Sequence, residues 1–459
     1  MDTPNEPHVG QMETPNEPQY WLDVFRNELY KEVIPWWLQF SLDTVDGGFF
    51  NCIHEDGTLY DTTKYVWLQG RQVWMFAKIY GDKDFDYDLL QNKHSHIPLT
   101  RDHLLEIAIS GANFLVKNAI REEDSHVWFC LSKAGAPSQM QRKPWGACFI
   151  VMGLIELAKV MPPVMEKQAS SFYNAGLDLF RKILEWFANP FMLGSKFGPG
   201  QLETSSLAVP MILLNLCYEI REMTKDVYNN TTALRQYTTK KVSNELVDIC
   251  NQREGWCIEE IKKHIKFDAG RVSKVLETVG KDGEEINNPS GRLINPGHVI
   301  EAGWFLMQYS QTQESQQINS STDIFQLGKS IATWALDIGW DEKYGGGILY
   351  FLDCSQKFSP IELEWDHKLW WPHTEALIAF LMAYEKTREQ EMWTRFQMVA
   401  EYTMSHFKDQ KRGGEWYGYL NRNGKVTHNF KGGPYKGCFH VPRALWMCVK
   451  ILEGMCQKK

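Results

Sequence analysis

The chain predicts an all-α fold, a single (α/α)6 barrel of about twelve helices with short β-hairpins between helical pairs. Three observations carry this. Apolar residues recur at helical spacing through most of the chain, and convincing strand pattern is scarce. Glycine- and aromatic-rich segments return between alternate helical pairs, a weak internal repeat. The short motifs that look chemical all fall near the starts of even-numbered helices.

Residues 1–19 contain a near-duplicate, Thr3-Pro-Asn-Glu-Pro7 and Thr14-Pro-Asn-Glu-Pro18, and read as a disordered polar tail. The catalytic domain is expected over 20–459. Periodicity places helices over 20–41, 64–80, 101–119, 142–161, 166–187, 204–222, 231–251, 297–312, 322–338, 368–387, 390–408 and 439–456. The segments Asp46–Gly57, Gly345–Leu352 and Gly413–Gly424 read as hairpins, because each joins glycine-rich turns to aromatic residues.

Six helical pairs can close into a two-layer ring. In that ring the even helices share one layer and one direction, so their N-termini surround one mouth. Six helix ends there favour an anionic or enolate-like species. The motifs Lys64-Tyr-Val-Trp67-Leu-Gln-Gly-Arg71, Lys143-Pro-Trp145, Gln201-Leu-Glu203, Asn295-Pro-Gly-His298, Trp370-Trp-Pro-His373-Thr-Glu375 and His440-Val-Pro-Arg443 belong to helices two, four, six, eight, ten and twelve. One active site at that mouth is the expectation.

The composition narrows the function classes. With 459 residues, 43% hydrophobic and 23% charged, the chain is ordinary for a soluble globular protein. A net charge of −8 without a basic patch argues against nucleic-acid binding. No apolar run reaches membrane-spanning length and no signal peptide is legible. Ten cysteines without a CxxC pair read as reduced thiols of a cytoplasmic protein, which makes the Asn-x-Ser/Thr matches at Asn229, Asn230 and Asn319 chance. Eighteen Trp and 18 Tyr suit both a helical core and a sugar-binding cleft.

Several motifs fail. Gly328-Lys-Ser330 ends like a phosphate loop, but the earlier glycine is replaced by Asp323 and the segment reads as helix. No GxGxxG follows a strand, and no HExxH or similar metal-ligand cluster is present. Cys438 precedes His440 by two residues, yet packing explains it better than a thiol nucleophile.

The two matched histidine motifs are the strongest chemical signal. His298 and His440 each sit beside a glycine-containing turn near a helix start. Each has a charged residue three positions later on the same face, Glu301 and Arg443. A lone histidine at a helix start is usually structural; two such motifs suggest a proton-transfer apparatus.

At these residues the chain resembles the N-acylglucosamine 2-epimerase family, in the motifs NPGHVIEAGW, KLWWPHTEAL, KGCFHVPR and KYVWLQGR. The resemblance spans about Trp21 to Gly454. It implies an (α/α)6 barrel, a homodimer, and interconversion of N-acetylglucosamine with N-acetylmannosamine, a step of amino-sugar and sialic acid metabolism. It implies no redox cofactor and ATP as an allosteric activator, and it leaves renin binding as a side activity. Segments 83–100 and 223–240 look longer than in bacterial relatives.

Inverting C2 beside the C1 aldehyde of the open-chain sugar requires removing a weakly acidic proton and returning one to the other face. His440 and His298 are assigned as the two acid/base groups, and the resemblance puts His440 on the N-acetylglucosamine side. Glu301 orients His298 or assists ring opening. Arg71 and Arg443 bind sugar oxygens and stabilise developing charge. Glu375 holds substrate or tunes a histidine, Trp371 offers an apolar face, and His373 is a binding residue or a brace for Glu375. Glu203 reads as a site residue or a plain N-terminal helix charge. The alternatives are a sister epimerase or aldose–ketose isomerase for another hexose, a glycoside hydrolase using Glu301 and Glu375, and a protease-binding module.

Overall fold

The computed structural model describes residues 17–90, 100–194, 200–229, 234, 240–314 and 321–457. Twelve long helices are seen among them. The first, α1, joins Pro18–Asn27, a π turn over Glu28–Val33 and Ile34–Phe40. Pro35 cannot donate its i→i−4 hydrogen bond, and the helix widens just before it. The others are α2 (Val66–Gly81), α3 (Arg101–Asn118), α4 (Trp145–Val160), α5 (Glu166–Ala188), α6 (Ala208–Asn229), α7 (Lys240–His264), α8 (Pro296–Glu314), α9 (Ser321–Gly339), α10 (Trp370–Thr387), α11 (Gln390–His406) and α12 (His440–Gln457).

Even helices pack side by side from α2 to α12, and each odd helix lies against an even one. The ring closes where the Trp74 and Phe439 rings meet at 5.3 Å and Trp446 Nε1 donates to Asp82 at 2.9 Å. Residue chemistry decides the layer. In α4 every residue from Ala147 to Ala158 is buried, as an inner helix with neighbours all round demands. The outer α5 buries a single stripe, including Phe172, Leu179, Phe180, Ile183 and Trp186. Each such fully buried side chain contributes roughly 1.5–3 kcal/mol.

The short strands do more than close hairpins. Lys64–Tyr65, just before α2, pairs with Cys130–Leu131, just before α4. Thr204–Ser206 pairs with Thr278–Gly280, Leu293–Ile294 with Leu352–Asp353, Lys368–Leu369 with Tyr419–Leu420, and Ile53 with Gly432. Neighbouring corners of the rim are thereby stitched together, which gives two-residue strands a partner they could not keep alone.

Three corners share one device. Asp43, Asp341 and Asp409 each open a turn through positive-φ glycines (Gly47–Gly48, Gly345–Gly347 and Gly413–Gly414). Each aspartate pairs with a buried lysine ahead of the next inner helix: Lys64 at 2.8 Å, Lys368 at 3.7 Å and Lys431 at 3.0 Å. This is the physical content of the weak repeat. Only residues that tolerate φ > 0 at low cost let the chain reverse so tightly.

Three expectations need correction. The helix expected over 231–251 is Lys240–His264; residues 231–233 and 235–239 lie outside the described ones. Gly255 does not end it, because Cys257, Ile258 and Ile261 continue its buried stripe and packing outweighs the glycine. The hairpin Ile265–Asp268/Arg271–Val275, turning at Ala269-Gly270, was not read from the sequence. The expected tail lies outside the described residues up to 16, whereas Pro18 already starts α1, its fixed φ suiting the first turn. Gly328-Lys-Ser330 is inside α9, as helical reading required. Among the described residues no helix is long and apolar enough to cross a membrane.

Candidate active site

The N-terminal ends of the inner helices surround a cavity of about 630 Å³, whose walls include Trp67, Arg71, His298, Glu301, Trp371 and His440. Trp67, Arg71, His298 and Glu301 also line a narrower recess of about 220 Å³. Arg443 faces that recess as well.

His298 is placed by the start of α8. Asn295 caps the helix, accepting the His298 backbone N–H at 3.2 Å, and Pro296 supplies the first helical residue. A Cβ at Gly297 would lie 2.5 Å from the Trp371 ring, so only glycine lets α8 and α10 approach this closely. Trp371 in turn stands 5.2 Å from the His298 ring and 6.0 Å from the His440 ring, centroid to centroid.

Each imidazole is held by a carboxylate. His298 Nδ1 lies 3.0 Å from Glu277, and His440 Nδ1 lies 2.8 Å from Glu375. With a carboxylate as partner, Nδ1 carries the hydrogen and Nε2 is left for the cavity. The two rings nevertheless differ in their affinity for a proton. Burial disfavours the charged form of His298, but Glu277, by charge and hydrogen bond, outweighs it and raises the pKa above 6.5. For His440, burial prevails over Glu375 and, with Arg71 and Arg443 nearby, presses the pKa down to about 3. His440 is neutral at neutral pH, while His298 holds a proton more readily than an ordinary imidazole.

Glu375 is fully buried and lies behind His440. It also accepts Trp304 Nε1 at 2.8 Å and Arg443 Nη2 at 2.6 Å. Burial works against its charge, but Arg443 and His440 prevail and hold the carboxyl at about 2. Arg443 Nη2 reaches Glu301 at 3.3 Å. Burial, then the neighbouring Glu375, push Glu301 up to about 7, only partly offset by Arg443. The Glu301, Glu375 and His440 ligand atoms lie within 4.8 Å of one another, a spacing a metal ion could use. The Arg443 guanidinium already stands between those carboxylates. Arg71 is stacked against Trp67, Phe149 and Phe439 at 4.6, 4.0 and 4.7 Å, and burial lowers its pKa to about 9. Its Nε has no hydrogen-bond acceptor.

The structure thus brings His298, His440, Arg71, Glu301, Arg443 and Trp371 to one cavity. Glu375 supports His440 and Arg443 from behind and is not among the residues lining the cavity. His373 is not at the cavity. It is fully buried, accepts the Ile348 N–H at 2.9 Å and contacts Leu369 O at 2.6 Å through Nδ1. Two positions beyond Trp371 on a helix is the opposite face, and there His373 stacks on Tyr402. Glu203 is exposed, 3.9 Å from Lys281. Cys438 is buried, and burial first, then Glu415, raise its thiol well above the usual range. All ten cysteines are free.

The residue that sequence reading missed is Glu277. It follows the unforeseen hairpin, its N–H on Leu293 O and its carbonyl accepting from Leu207 N, both at 3.0 Å. An acid in a bend between two short strands carries no spacing signal.

Comparison with known proteins adds to this geometry. The family model described as N-acylglucosamine 2-epimerase (GlcNAc 2-epimerase) matches residues 48–444. The chain is 38% identical to the N-acylglucosamine 2-epimerase of Mus musculus, covering 96% of this chain and 94% of that one. It is 37% identical to that of Bos taurus, covering 95% and 92%. Among solved structures, the cellobiose 2-epimerase of Bacillus thermoamylovorans B4167 superposes with a TM-score of 0.69 at 18% identity, covering 95% of this chain and all of that one. That likeness concerns the (α/α)6 fold.

Proposed function

Because the chain belongs to the N-acylglucosamine 2-epimerase family, we propose that it is an isomerase interconverting N-acetylglucosamine and N-acetylmannosamine. One observation carries this reading: two imidazoles on one cavity, each tied through Nδ1 to a carboxylate, with opposite preferences for the proton.

The chemistry follows from that opposition. After ring opening, neutral His440 takes the C2 proton of N-acetylglucosamine on its free Nε2. The electron pair moves toward O1, leaving an enolate with a C1–C2 double bond and its negative charge on O1. Arg71, without an acceptor on its Nε, and Arg443 stabilise the charge on oxygen. Charged His298 returns a proton to the opposite face, giving N-acetylmannosamine. His440 then holds the abstracted proton and His298 lacks one, so exchange with solvent restores the pair. The reverse reaction exchanges the roles. Trp371, in contact with both rings, forms the apolar floor. Glu301, with a pKa near 7, is suited to pass a proton during ring opening.

The acetylated sugar is preferred over an unacetylated hexose because the N-acylglucosamine 2-epimerases share about twice the identity found with the cellobiose enzyme. The proposal includes catalysis without redox cofactor or metal, ATP as an activator, a cytoplasmic homodimer acting in sialic acid metabolism, and renin binding as a secondary role. Incubating N-acetylmannosamine in deuterated water with and without ATP, followed by NMR, tests it. Deuterium at C2 of N-acetylglucosamine is expected, formed faster with ATP. Product without solvent deuterium would exclude the two-imidazole route.

A further inference from the structure

Two chambers meet at Arg71, His298 and Glu301. The larger one sets hydrogen-bonding groups (Glu364, His367, His428 and Tyr435) beside the aromatic rings of Trp371 and Phe430, on which a sugar ring can stack. The recess of about 220 Å³ runs instead between α4 and α6, walled by Phe149, Ala208, Met211, Ile212 and Phe305. One neutral polar side chain, Asn215, stands among them. Asn215 is 5% exposed, and no described residue hydrogen-bonds its carboxamide. It lines both the recess and a deeper cavity of about 80 Å³ below it. An amide that faces two cavities with no partner among the described residues is available to pair with a ligand.

We propose that this recess is the acyl pocket, with Asn215 pairing the substrate's amide and Met211 and Ile212 enclosing the acyl methyl. The inference rests on the epimerase reading given above and extends it to how an N-acyl group is recognised. The reacting carbon, C2, bears two large substituents besides C1: the nitrogen with its acyl group, and the hydroxylated chain beginning at C3. With C2 at the junction, the hydroxylated chain suits the chamber lined by carboxylate, imidazole and phenol. The acyl group suits the one lined by methyl, thioether and aromatic surface. A carboxamide offers one donor and one acceptor face, the complement of the acylamino carbonyl and N–H. An unacetylated hexose would leave Asn215 unpaired and the apolar walls unfilled, which is how such a site discriminates.

The test uses N-acetyl-, N-propanoyl- and N-butanoylmannosamine with the wild-type chain and two variants. In the wild type, kcat/KM should fall about 10-fold or more across the series as the recess fills. Met211→Ala should recover the butanoyl sugar about 10-fold relative to the acetyl one. Since truncation can loosen the core, Asn215→Leu, of similar volume, provides the second arm. It should raise KM about 10-fold for all three sugars while kcat stays near the wild-type value. An acyl-length series unchanged by Met211→Ala, or an unchanged KM in Asn215→Leu, would overturn the assignment. So would a Met211→Ala gain confined to 6-O-methyl-N-acetylmannosamine, which would put the sugar's far end in the recess. A wild-type chain that turns over none of the acylated sugars is a different result: it removes the epimerase reading, and this inference with it.

Discussion

Glu277 lies 3.0 Å from His298 Nδ1, although 21 residues and two strands separate them along the chain. The contact raises the proton affinity of one of two similar histidine motifs, while burial, with arginines nearby, keeps the other neutral. Local sequence treats the motifs alike; the tertiary partners distinguish them.

Glu277→Gln keeps a hydrogen-bond acceptor and removes the charge. His298 then loses the main influence raising its pKa. Since the reaction from N-acetylglucosamine needs the charged ring, the alkaline limb of kcat/KM should move to lower pH, and the rate at pH 8 should drop on the order of 10-fold. A pH–rate profile checks this, and an unmoved limb would show that Glu277 only fills space.

The two histidines should fail separately. His298→Ala should lose epimerisation by about 10³-fold yet still exchange the C2 hydrogen of N-acetylglucosamine with solvent deuterium, because His440 can work alone on its face. His440→Ala should reverse the pattern and label N-acetylmannosamine. NMR of each recovered substrate reads the outcome; both variants labelling the same sugar would rule out opposite faces.

Glu375→Gln should damage stability as well as rate. It leaves buried Arg443 with Glu301 as its remaining carboxylate, a loss of about 3–5 kcal/mol. The sign with pH is fixed by the carboxyl's depressed value. Its contribution is complete above about 4.5 and is lost as pH falls toward about 2. Urea unfolding of wild type and variant at neutral pH, and again below pH 4.5, should show their difference narrowing in acid. A constant difference would mean that charge is not the source.

His373→Phe serves as the contrast. It removes the acceptor of the Ile348 N–H, so it should cost about 1–3 kcal/mol and lower Tm. The folded protein keeps this ring neutral, burial holding it at about 3, so its contribution fades as pH drops below the ordinary 6.5. kcat/KM of the folded variant should stay at the wild-type value. A specific loss of kcat/KM would return His373 to the site.

What the sequence disclosed follows from where the information lies. Helical periodicity is local, so twelve helices and their alternation into two layers were legible, apart from α7, where a stripe continuing past Gly255 decided the end. Motifs that begin helices were legible too, and they brought His298, His440, Arg71, Glu301 and Arg443 to one cavity. Support across the ring was not. Nothing near Glu277 in sequence points to His298, and nothing in Trp-Trp-Pro-His-Thr-Glu says which side chain faces in until the helix turns. Trp371 reaches the cavity, Glu375 lies behind His440, and His373 turns to the outer layer.

The three aspartate–lysine turns fall at the corners before α2, α10 and α12, which are neighbours in the closed ring. Those helices carry Arg71, Trp371, Glu375, His440 and Arg443. Among the described residues the corners before α4, α6 and α8 have no such pair, and α4 and α6 supply Trp145, Phe149, Ala208, Met211, Ile212 and Asn215 to the recess. The ring therefore has two unlike arcs. One is anchored by these turns around His440 and its partners, and the other joins His298 on α8 to the recess walls on α4 and α6. Mutation on α4 and α6 can redraw what the enzyme accepts while leaving the histidine-bearing α8 and α12 intact, a route by which one scaffold acquires new sugars without reinventing its reaction.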